Sequence, residues 1–145
     1  MKAIGTDAQT LGLQLRRLWR ADFWGPIPPR LLARYGITYR TGSAADFTRL
    51  SYADESFDVV SCISVLEHMP PDAQMAGVRE MARVLKPGGR LIITYDKVVD
   101  LTAAIIGTSR LRARTVVEFK PTGVYQKKPD VVGICLIKPR HQMET

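Results

Sequence analysis

Hydrophobic residues in the first forty positions occur either in short runs or at helical spacing. Ala3 to Thr6 is a short apolar run that predicts a strand, and Asp7 is placed to cap the helix that follows. Leu11, Leu15 and Leu18 recur at i, i+4 and i+7, which is the buried stripe of an amphipathic helix. A second predicted helix and a second predicted strand come next: Pro29 to Tyr35 and Ile37 to Arg40.

The second half of the chain continues this alternation with longer apolar runs. Phe57 to Ser64 is almost continuously apolar, which suits a strand covered on both faces. Asp72 is placed to cap a helix, and Lys86-Pro87-Gly88-Gly89 should end it. A strand, a helix and two further strands are predicted at Arg90 to Tyr95, Val98 to Ile106, Val116 to Phe119 and Val131 to Ile137. This order predicts a three-layer α/β sandwich, with a mostly parallel sheet and a C-terminal antiparallel hairpin.

Length and composition indicate one soluble domain over residues 1–145. The chain is 46% hydrophobic and 24% charged, which is the balance of a globular protein. Its apolar runs fall well short of the roughly 20 residues that span a bilayer. Cys62 and Cys135 are far apart in apolar runs, so we expect buried free thiols, no metal site and a cytoplasmic protein.

Both ends of the chain are basic and its centre is acidic. Basic flanks can attract nucleic acid or an anionic substrate. The N-terminal arginines lie on predicted helices and show no interleaved aromatic platform for stacking, which favours solvated helix faces. Arg110, Arg112 and Arg114 alternate, which would place three guanidinium groups on one side of a strand. A solvated sheet edge and a binding patch are both open interpretations of that alternation.

Several common catalytic and cofactor motifs do not occur in the sequence. No two glycines are separated by a single residue, so GxGxxG is absent, and so is GxxxxGK[ST]. GxSxG and HExxH are missing as well. These absences argue against dinucleotide enzymes, P-loop enzymes, serine hydrolases of the elbow type and zinc peptidases.

Candidate ligand-binding residues follow the predicted strands, at the edge where open α/β sheets bind their ligands. They are Asp7, Ser43-Ala44, Ile63-Ser64 and Asp96. The Asp7 carboxylate can accept two hydrogen bonds from a ribose diol, or it can simply cap a helix. His68 follows a buried strand, where it can act as a general base or hydrogen-bond the backbone to fix the loop.

Three blocks of sequence, in order and at matching spacing, carry a family resemblance. They are Tyr52 to Val60, Val65 to His68 and Arg83 to Leu91. They resemble the central and later blocks of class I S-adenosylmethionine-dependent methyltransferases, specifically the methyltransferase type 11 group. Thr41 to Asp46 is similar to that family's Gly-Asp-Ala loop, and Ile4 to Asp7 to the end of its second strand. The resemblance implies a Rossmann-like fold and S-adenosyl-L-methionine as the cofactor.

The same resemblance implies roles for individual positions. It gives Asp7 the ribose hydroxyls, places Ser43 near the adenine amino group, and brings the Ala44 backbone to the adenine edge. Ile63, next to Ser64, would contact the methionine part of the cofactor. Ser43 stands where the family usually has an acidic residue, and a hydroxyl accepts a hydrogen bond less strongly than a carboxylate does.

The N-terminus departs from the family pattern. If Ile4 to Asp7 is the second strand, the first strand, its glycine-rich loop and the first helix would lie upstream of Met1, and a partial domain is expected. Removing a central strand leaves two apolar sheet edges that must be paired or covered. Direct closure of the sheet, a homo-oligomer and the rest of a longer protein are the three alternatives.

Two functional hypotheses follow from the resemblance. The first is methyl transfer from S-adenosyl-L-methionine to a small-molecule acceptor, in which alignment of the reacting groups supplies the catalysis and His68 is the candidate base. The second is a non-catalytic, methyltransferase-like interaction or regulatory module. Nucleic-acid binding is disfavoured by the acidic centre and the lack of aromatic stacking partners, and no membrane partner is expected.

Overall fold

The computed structural model describes residues 3–7, 34, 36–41, 47–122 and 129–140. In chain order, its regular elements are β1 (Ala3–Asp7), β2 (Ile37–Thr41), β3 (Phe57–Ile63), a 3₁₀ turn (Leu66–His68), α1 (Pro71–Val84), β4 (Leu85–Asp96), α2 (Thr102–Ser109), β5 (Arg112–Phe119) and β6 (Val131–Ile137). The chain divides into two compact units, residues 1–47 and 48–145. The prediction that residues 1–145 form a single domain stays a prediction.

The first unit contains a two-stranded parallel sheet. β1 pairs with β2 from Ala3 opposite Ile37 to Asp7 opposite Thr41, so the two strands end level with each other. Both strands predicted in this part of the chain are therefore confirmed. The helix predicted around Leu11 to Leu18 lies outside the described residues, as does the helix predicted over 29–35 apart from a helical Arg34.

The second unit is built on a four-stranded mixed sheet in the order β3-β4-β6-β5. β3 and β4 are parallel, whereas β4 pairs with β6, and β6 with β5, in the antiparallel direction. The predicted C-terminal antiparallel strand pair is confirmed. Parallel strands end at the same edge of a sheet, so the carboxyl ends of β3 and β4 lie side by side.

One face of this sheet is buried under the two helices. Along β4, Leu91, Ile93 and Tyr95 are fully buried, whereas Ile92 between them is 38% exposed. This period of two is that of a strand packed on one face. α1 packs on β4 and on α2, so the helices cover the buried face. The fully buried side chains of this core are Leu66, Val78, Val84, Leu85, Leu91, Ile93, Tyr95, Ile105, Ile134 and Leu136.

The prediction that β3 is covered on both faces is wrong. Val59 is 46% exposed and Ile63 is 55% exposed, whereas Cys62 is buried. A continuous apolar run is therefore not evidence of two-sided burial here, since alternate residues of β3 face the core and the open side.

The start of α1 differs from the prediction. Pro70 occupies the N-cap position and no side chain caps the helix, whereas Asp72 lies within the first turn. Proline fits this end because its missing N–H would have had no partner in the first turn. Asp72 still contributes, because a negative charge near a helix N-terminus is stabilised by the helix dipole.

The boundary between α1 and β4 also differs from the prediction. The helix ends at Val84, and the strand begins at Leu85 rather than at Arg90, with Leu85 opposite Phe57. The Lys86 to Gly89 segment is thus part of the strand. The strand accommodates this segment by a shift in its register with β3 and by Gly88, whose φ is 78°. A local sequence pattern did not indicate that pairing because the partner strand is distant along the chain.

The three alternating arginines do not lie on one side of a strand. Arg110 precedes β5 and caps the end of α2 in the left-handed conformation, with φ of 55°. β5 begins at Arg112, and its register with β6 shifts between Ala113 and Thr115, which places Arg114 in the irregularity. α2 itself runs over 102–109 rather than over the predicted 98–106.

The two cysteines differ in burial. Cys62 is buried, and this burial raises the pKa of its thiol to about 12, so the thiol stays protonated and unreactive. Cys135 is also a free cysteine but is only half-buried. The expectation of a buried thiol therefore holds for Cys62 and is wrong for Cys135.

The described residues contain neither a membrane-spanning helix nor a cluster of metal-binding side chains. No helix among them is both long and apolar enough to cross a membrane. No group of three or more His, Cys, Asp and Glu side chains in these ranges could hold a metal ion.

Arg83 joins α1 to the segment that precedes β3. Its guanidinium donates to the Glu80 carboxylate at 2.9 and 2.8 Å and to Asp54 Oδ1 at 2.6 Å. It also donates to the backbone carbonyls of Leu50 and Tyr52, each at 2.9 Å. Glu80 in turn accepts the Leu50 N–H at 2.8 Å, so one residue pair fixes the loop before β3.

The pairing of Glu80 with Arg83 should make an acid-sensitive contribution to the stability of the fold. The hydrogen bond from Arg83 lowers the pKa of Glu80 from its usual 4.5. A carboxylate whose pKa is lower in the folded state stabilises the fold above its unfolded pKa, and this contribution is lost as the pH falls through the folded pKa. We therefore expect the free energy of unfolding to fall below about pH 4.5 more steeply in the wild type than in Glu80→Gln.

Equilibrium urea unfolding between neutral and acid pH measures this difference. The control is the same substitution in an Arg83→Met background, where Glu80→Gln should change the acid dependence much less because the largest cause of the lowered pKa is gone. Parallel acid dependences of the wild type and Glu80→Gln would contradict the assignment.

Candidate functional site

The carboxyl ends of β3 and β4 form the candidate site of the second unit. Ile63, the last residue of β3, lies opposite Thr94, and the Ser64 N–H donates to the Thr94 carbonyl at 2.9 Å. Ser64 then adopts the left-handed conformation, with φ of 50°, which turns the chain away from the sheet. Ile63 is left as an exposed apolar side chain at this edge.

A short 3₁₀ turn after β3 positions a carboxylate at the same edge. The turn is closed by the His68 N–H on the Val65 carbonyl and by the Met69 N–H on the Leu66 carbonyl, each at 3.1 Å. Leu66 is fully buried and anchors the turn in the core. The next residue, Glu67, therefore points its side chain across to the end of β4.

Glu67 has one satisfied and one unsatisfied carboxylate oxygen. Its Oε1 accepts the Asp96 backbone N–H at 3.0 Å. Its Oε2 is buried and has no hydrogen-bond partner among the described residues. A buried polar atom without a partner is unfavourable, and more so when it carries charge. The edge thus holds a buried acceptor that an N–H or cationic donor brought to this position would satisfy.

Glu67 is the residue that the sequence interpretation missed. Glu67 lies inside the Val65 to His68 block, to which the sequence analysis assigns no role other than that of His68. The available signal was its position, because an acidic residue directly after a buried strand of an α/β sheet lies at the ligand-binding edge.

His68 lies on the same turn, with its side chain exposed. Within the described part of the chain, its imidazole makes no hydrogen bond, and its backbone N–H is the group that closes the turn. The alternative in which the imidazole fixes the loop therefore has no contact in support of it. The side chain is open to a ligand at this edge.

Hydrogen bonds hold the segment after β4 in place. The Tyr95 hydroxyl donates to Asp100 Oδ1 at 3.0 Å and accepts the Leu101 N–H at 3.1 Å. The backbone N–H of Thr102 and further hydrogen bonds at the same carboxylate lower the pKa of Asp100 to about 2, so this side chain is ionised at neutral pH. The loop that leaves the site is therefore tied to the start of α2, and it exposes Val98 and Val99.

The structure brings together only some of the residues predicted for the site. Ile63 and Ser64 share an edge with Asp96, and Glu67 joins them. Asp7 ends β1 as predicted, but its side chain is outside the described residues, and so are Ser43 and Ala44. The roles of these three residues stay predictions.

Comparison with solved structures shows to which fold this sheet belongs. Two solved structures are similar to the chain over nearly all its length. The [4+2]-cyclase SpnF has a TM-score of 0.64 at 14% identity, covering 97% of this chain and 68% of its own. The N-methyltransferase NodS from Bradyrhizobium japonicum, solved with S-adenosyl-L-homocysteine, has a TM-score of 0.62 at 17% identity, covering 96% and 67%. The fold is that of Rossmann-like methyltransferases, and the cyclase shows that the fold alone does not fix the reaction.

Sequence comparison gives the family. Residues 26–93 match the family model described as a methyltransferase domain. Methyltransferase GfsG from Streptomyces halstedii is 49% identical over 65 residues, which are 45% of this chain and 22% of that protein. The demethylmenaquinone methyltransferase of Mycobacterium sp. strain KMS is 50% identical over 50 residues, which are 34% and 21%. The predicted resemblance to methyltransferases is therefore confirmed, and the family match covers residues 26–93, just under half of the chain. The match spans about a fifth of each of these two relatives.

Proposed function

We propose that this chain forms part of an enzyme that transfers a methyl group from S-adenosyl-L-methionine to a small-molecule acceptor. The family match supports the reaction class, and NodS, which shares the fold, was solved with S-adenosyl-L-homocysteine. The observation that carries the proposal is the edge formed by β3 and β4, where an exposed Ile63 and the unsatisfied Glu67 oxygen lie at the strand ends.

The residues at this edge fit the cofactor chemically. When bound, S-adenosyl-L-methionine supplies a methyl group activated by a positively charged sulfur. Ile63 offers apolar surface to the methionine part, and the Glu67 oxygen without a partner is an acceptor for a cationic or N–H donor. Asp7, Ser43 and Ala44 would bind the adenosine part, as the family resemblance implies.

The protein contributes mainly orientation to such a reaction. Holding two reactants in line replaces an encounter in solution with a step inside one complex, which can supply much of the rate enhancement. A base is needed only when the acceptor must lose a proton. His68 is our candidate for that role because its imidazole is exposed on the turn that also positions Glu67.

The acceptor is proposed to be a small molecule with an apolar part. One similar protein is named for demethylmenaquinone and another for ubiquinone biosynthesis. Val98 and Val99 are exposed directly after β4 and give apolar surface beside the end of that strand. We also propose a cytoplasmic location, since both cysteines are free.

Replacing His68 by alanine tests the proposed base. We expect the turnover of demethylmenaquinone to fall by at least about tenfold, because general-base assistance is typically worth more than that. The affinity for S-adenosyl-L-homocysteine should stay within about twofold of the wild type, a difference well below 1.4 kcal/mol. Release of S-adenosyl-L-homocysteine measures turnover, and calorimetry measures binding. A parallel loss of turnover and affinity would show a structural role for His68.

A further inference from the structure

A concave site lies in the second unit, at the opposite end of the sheet from Glu67. It is a cavity of about 450 Å³ between the end of α1, the end of α2 and the residues after β6. Four of its nine lining residues are cationic and none is acidic: Arg79, Arg83, Arg110 and Lys138. The whole length of β4 separates this cavity from the candidate cofactor site.

Two of these cations are already neutralised by the fold. Arg83 is paired with Glu80 and Asp54. Lys138 Nζ donates to the Leu85 carbonyl at 2.8 Å and to the Ala82 carbonyl at 3.2 Å, and it lies 3.4 Å from Glu55 Oε1. Lys138 thus covers carbonyl groups at the negative end of α1, which would otherwise repel an anion.

The other two cations have no partner in the described part of the chain. Neither Arg79 nor Arg110 makes an ion pair or a side-chain hydrogen bond there, and both side chains are exposed at the cavity. Arg110 also has a φ of 55° at the end of α2, a conformation in which glycine is favoured. The chain thus carries a guanidinium at a position where a residue without a side chain would fit the backbone better.

The two hydroxyl groups that line the cavity already donate hydrogen bonds within the fold. Ser109 Oγ donates to the Ile106 carbonyl at 3.1 Å, and Thr108 Oγ1 donates to the Met75 sulfur at 3.4 Å. Recognition at this cavity therefore rests on the two guanidinium groups. Their planar pairs of N–H donors match the oxygens of phosphate or carboxylate groups.

We propose that this cavity binds the phosphate group of a small molecule, through Arg79 and Arg110. Two unpaired guanidinium groups carry two positive charges, which a phosphate dianion balances and a single carboxylate does not. The cavity volume is in the range of small-molecule sites. This site is separate from the proposed methyl transfer and does not depend on it.

Calorimetric titration of the full chain tests the proposal with inorganic phosphate, ribose 5-phosphate and acetate as probes. We expect saturable binding of at least one phosphate probe and at least tenfold weaker binding of acetate, whose single carboxylate balances only one of the two charges. Tighter binding of ribose 5-phosphate than of inorganic phosphate would identify an organic phosphate ester as the ligand type. The reverse order would identify the free ion.

Three variants separate a built site from general attraction to a basic surface. Arg79→Gln and Arg110→Gly should each weaken phosphate binding by about tenfold or more, because each removes a charge-assisted pair. Arg110→Gly should also fold well, since glycine suits the left-handed conformation. Arg112→Gln is the matched control, because Arg112 is exposed on β5 and does not line the cavity.

The control variant should bind phosphate within about twofold of the wild type, which is well below the 1.4 kcal/mol of a tenfold change. Equal weakening by Arg112→Gln would show non-specific attraction and overturn the proposal. No saturable binding of either phosphate probe by the wild type would overturn it as well.

Discussion

Replacing Gly89 by alanine should lower the free energy of unfolding by about 1–3 kcal/mol, the usual effect of forcing atoms into a closely packed region. A Cβ atom at this position would lie 2.8 Å from the Lys86 carbonyl oxygen and 2.9 Å from the Asp58 carbonyl oxygen. Both oxygens belong to the backbone, so neither can move aside as a flexible side chain could. β4 and β3 would have to separate where they start to pair.

Gly107 provides the matched control for this prediction. It lies in α2, and a Cβ added there would meet no atom within 4 Å. Alanine should therefore stabilise the helix by about 0.5–1 kcal/mol, because glycine is the weaker helix former. Equilibrium urea unfolding of both variants gives the comparison. A Gly89→Ala variant as stable as the wild type would show that β3 and β4 do not approach each other as described.

Replacing Glu67 by glutamine should weaken the binding of S-adenosyl-L-homocysteine by at least about tenfold, as expected when a charge-assisted hydrogen bond is lost. Glutamine keeps an oxygen that can accept the Asp96 N–H, so the turn and the end of β4 should hold their positions. The substitution removes the negative charge and turns the unsatisfied acceptor into a donor. The measured change therefore reports on the ligand rather than on the fold.

Asp72→Asn is the control for the loss of charge. Asp72 is an exposed acid in the first turn of α1, only a few residues after Glu67, and it is not part of the described edge. Its substitution should leave the affinity within about twofold, which is a small fraction of 1.4 kcal/mol. Thermal unfolding of both variants would verify that each is folded. Equal loss of affinity in the two variants would contradict a specific role for Glu67.

The sequence predicted the elements of this fold better than their boundaries. Short apolar runs indicated β1, β2 and β6 because such a run is a local signal that needs no knowledge of the partner strand. The boundaries at Leu85 and Arg112 were missed because they depend on register with a distant strand. Likewise, the register shift between Ala113 and Thr115 interrupts the alternation from which the position of Arg114 was predicted.

In the candidate site, too, local sequence signals were informative and contacts between distant segments were not predicted. Ile63 and Ser64 were predicted because ligand sites in such sheets follow the strand ends. The role of Glu67 was not predicted, because it depends on which backbone N–H the neighbouring strand presents. Here that group is the N–H of Asp96, 29 residues further along the chain, a contact that only the pairing of β3 with β4 creates.

Calorimetric titration of the wild-type chain with S-adenosyl-L-homocysteine tests most directly whether the strand ends form a cofactor site. The proposed function predicts saturable binding at one site with micromolar affinity. Absence of any saturable heat from the folded chain would contradict that function and would favour a methyltransferase-like module that does not bind the cofactor.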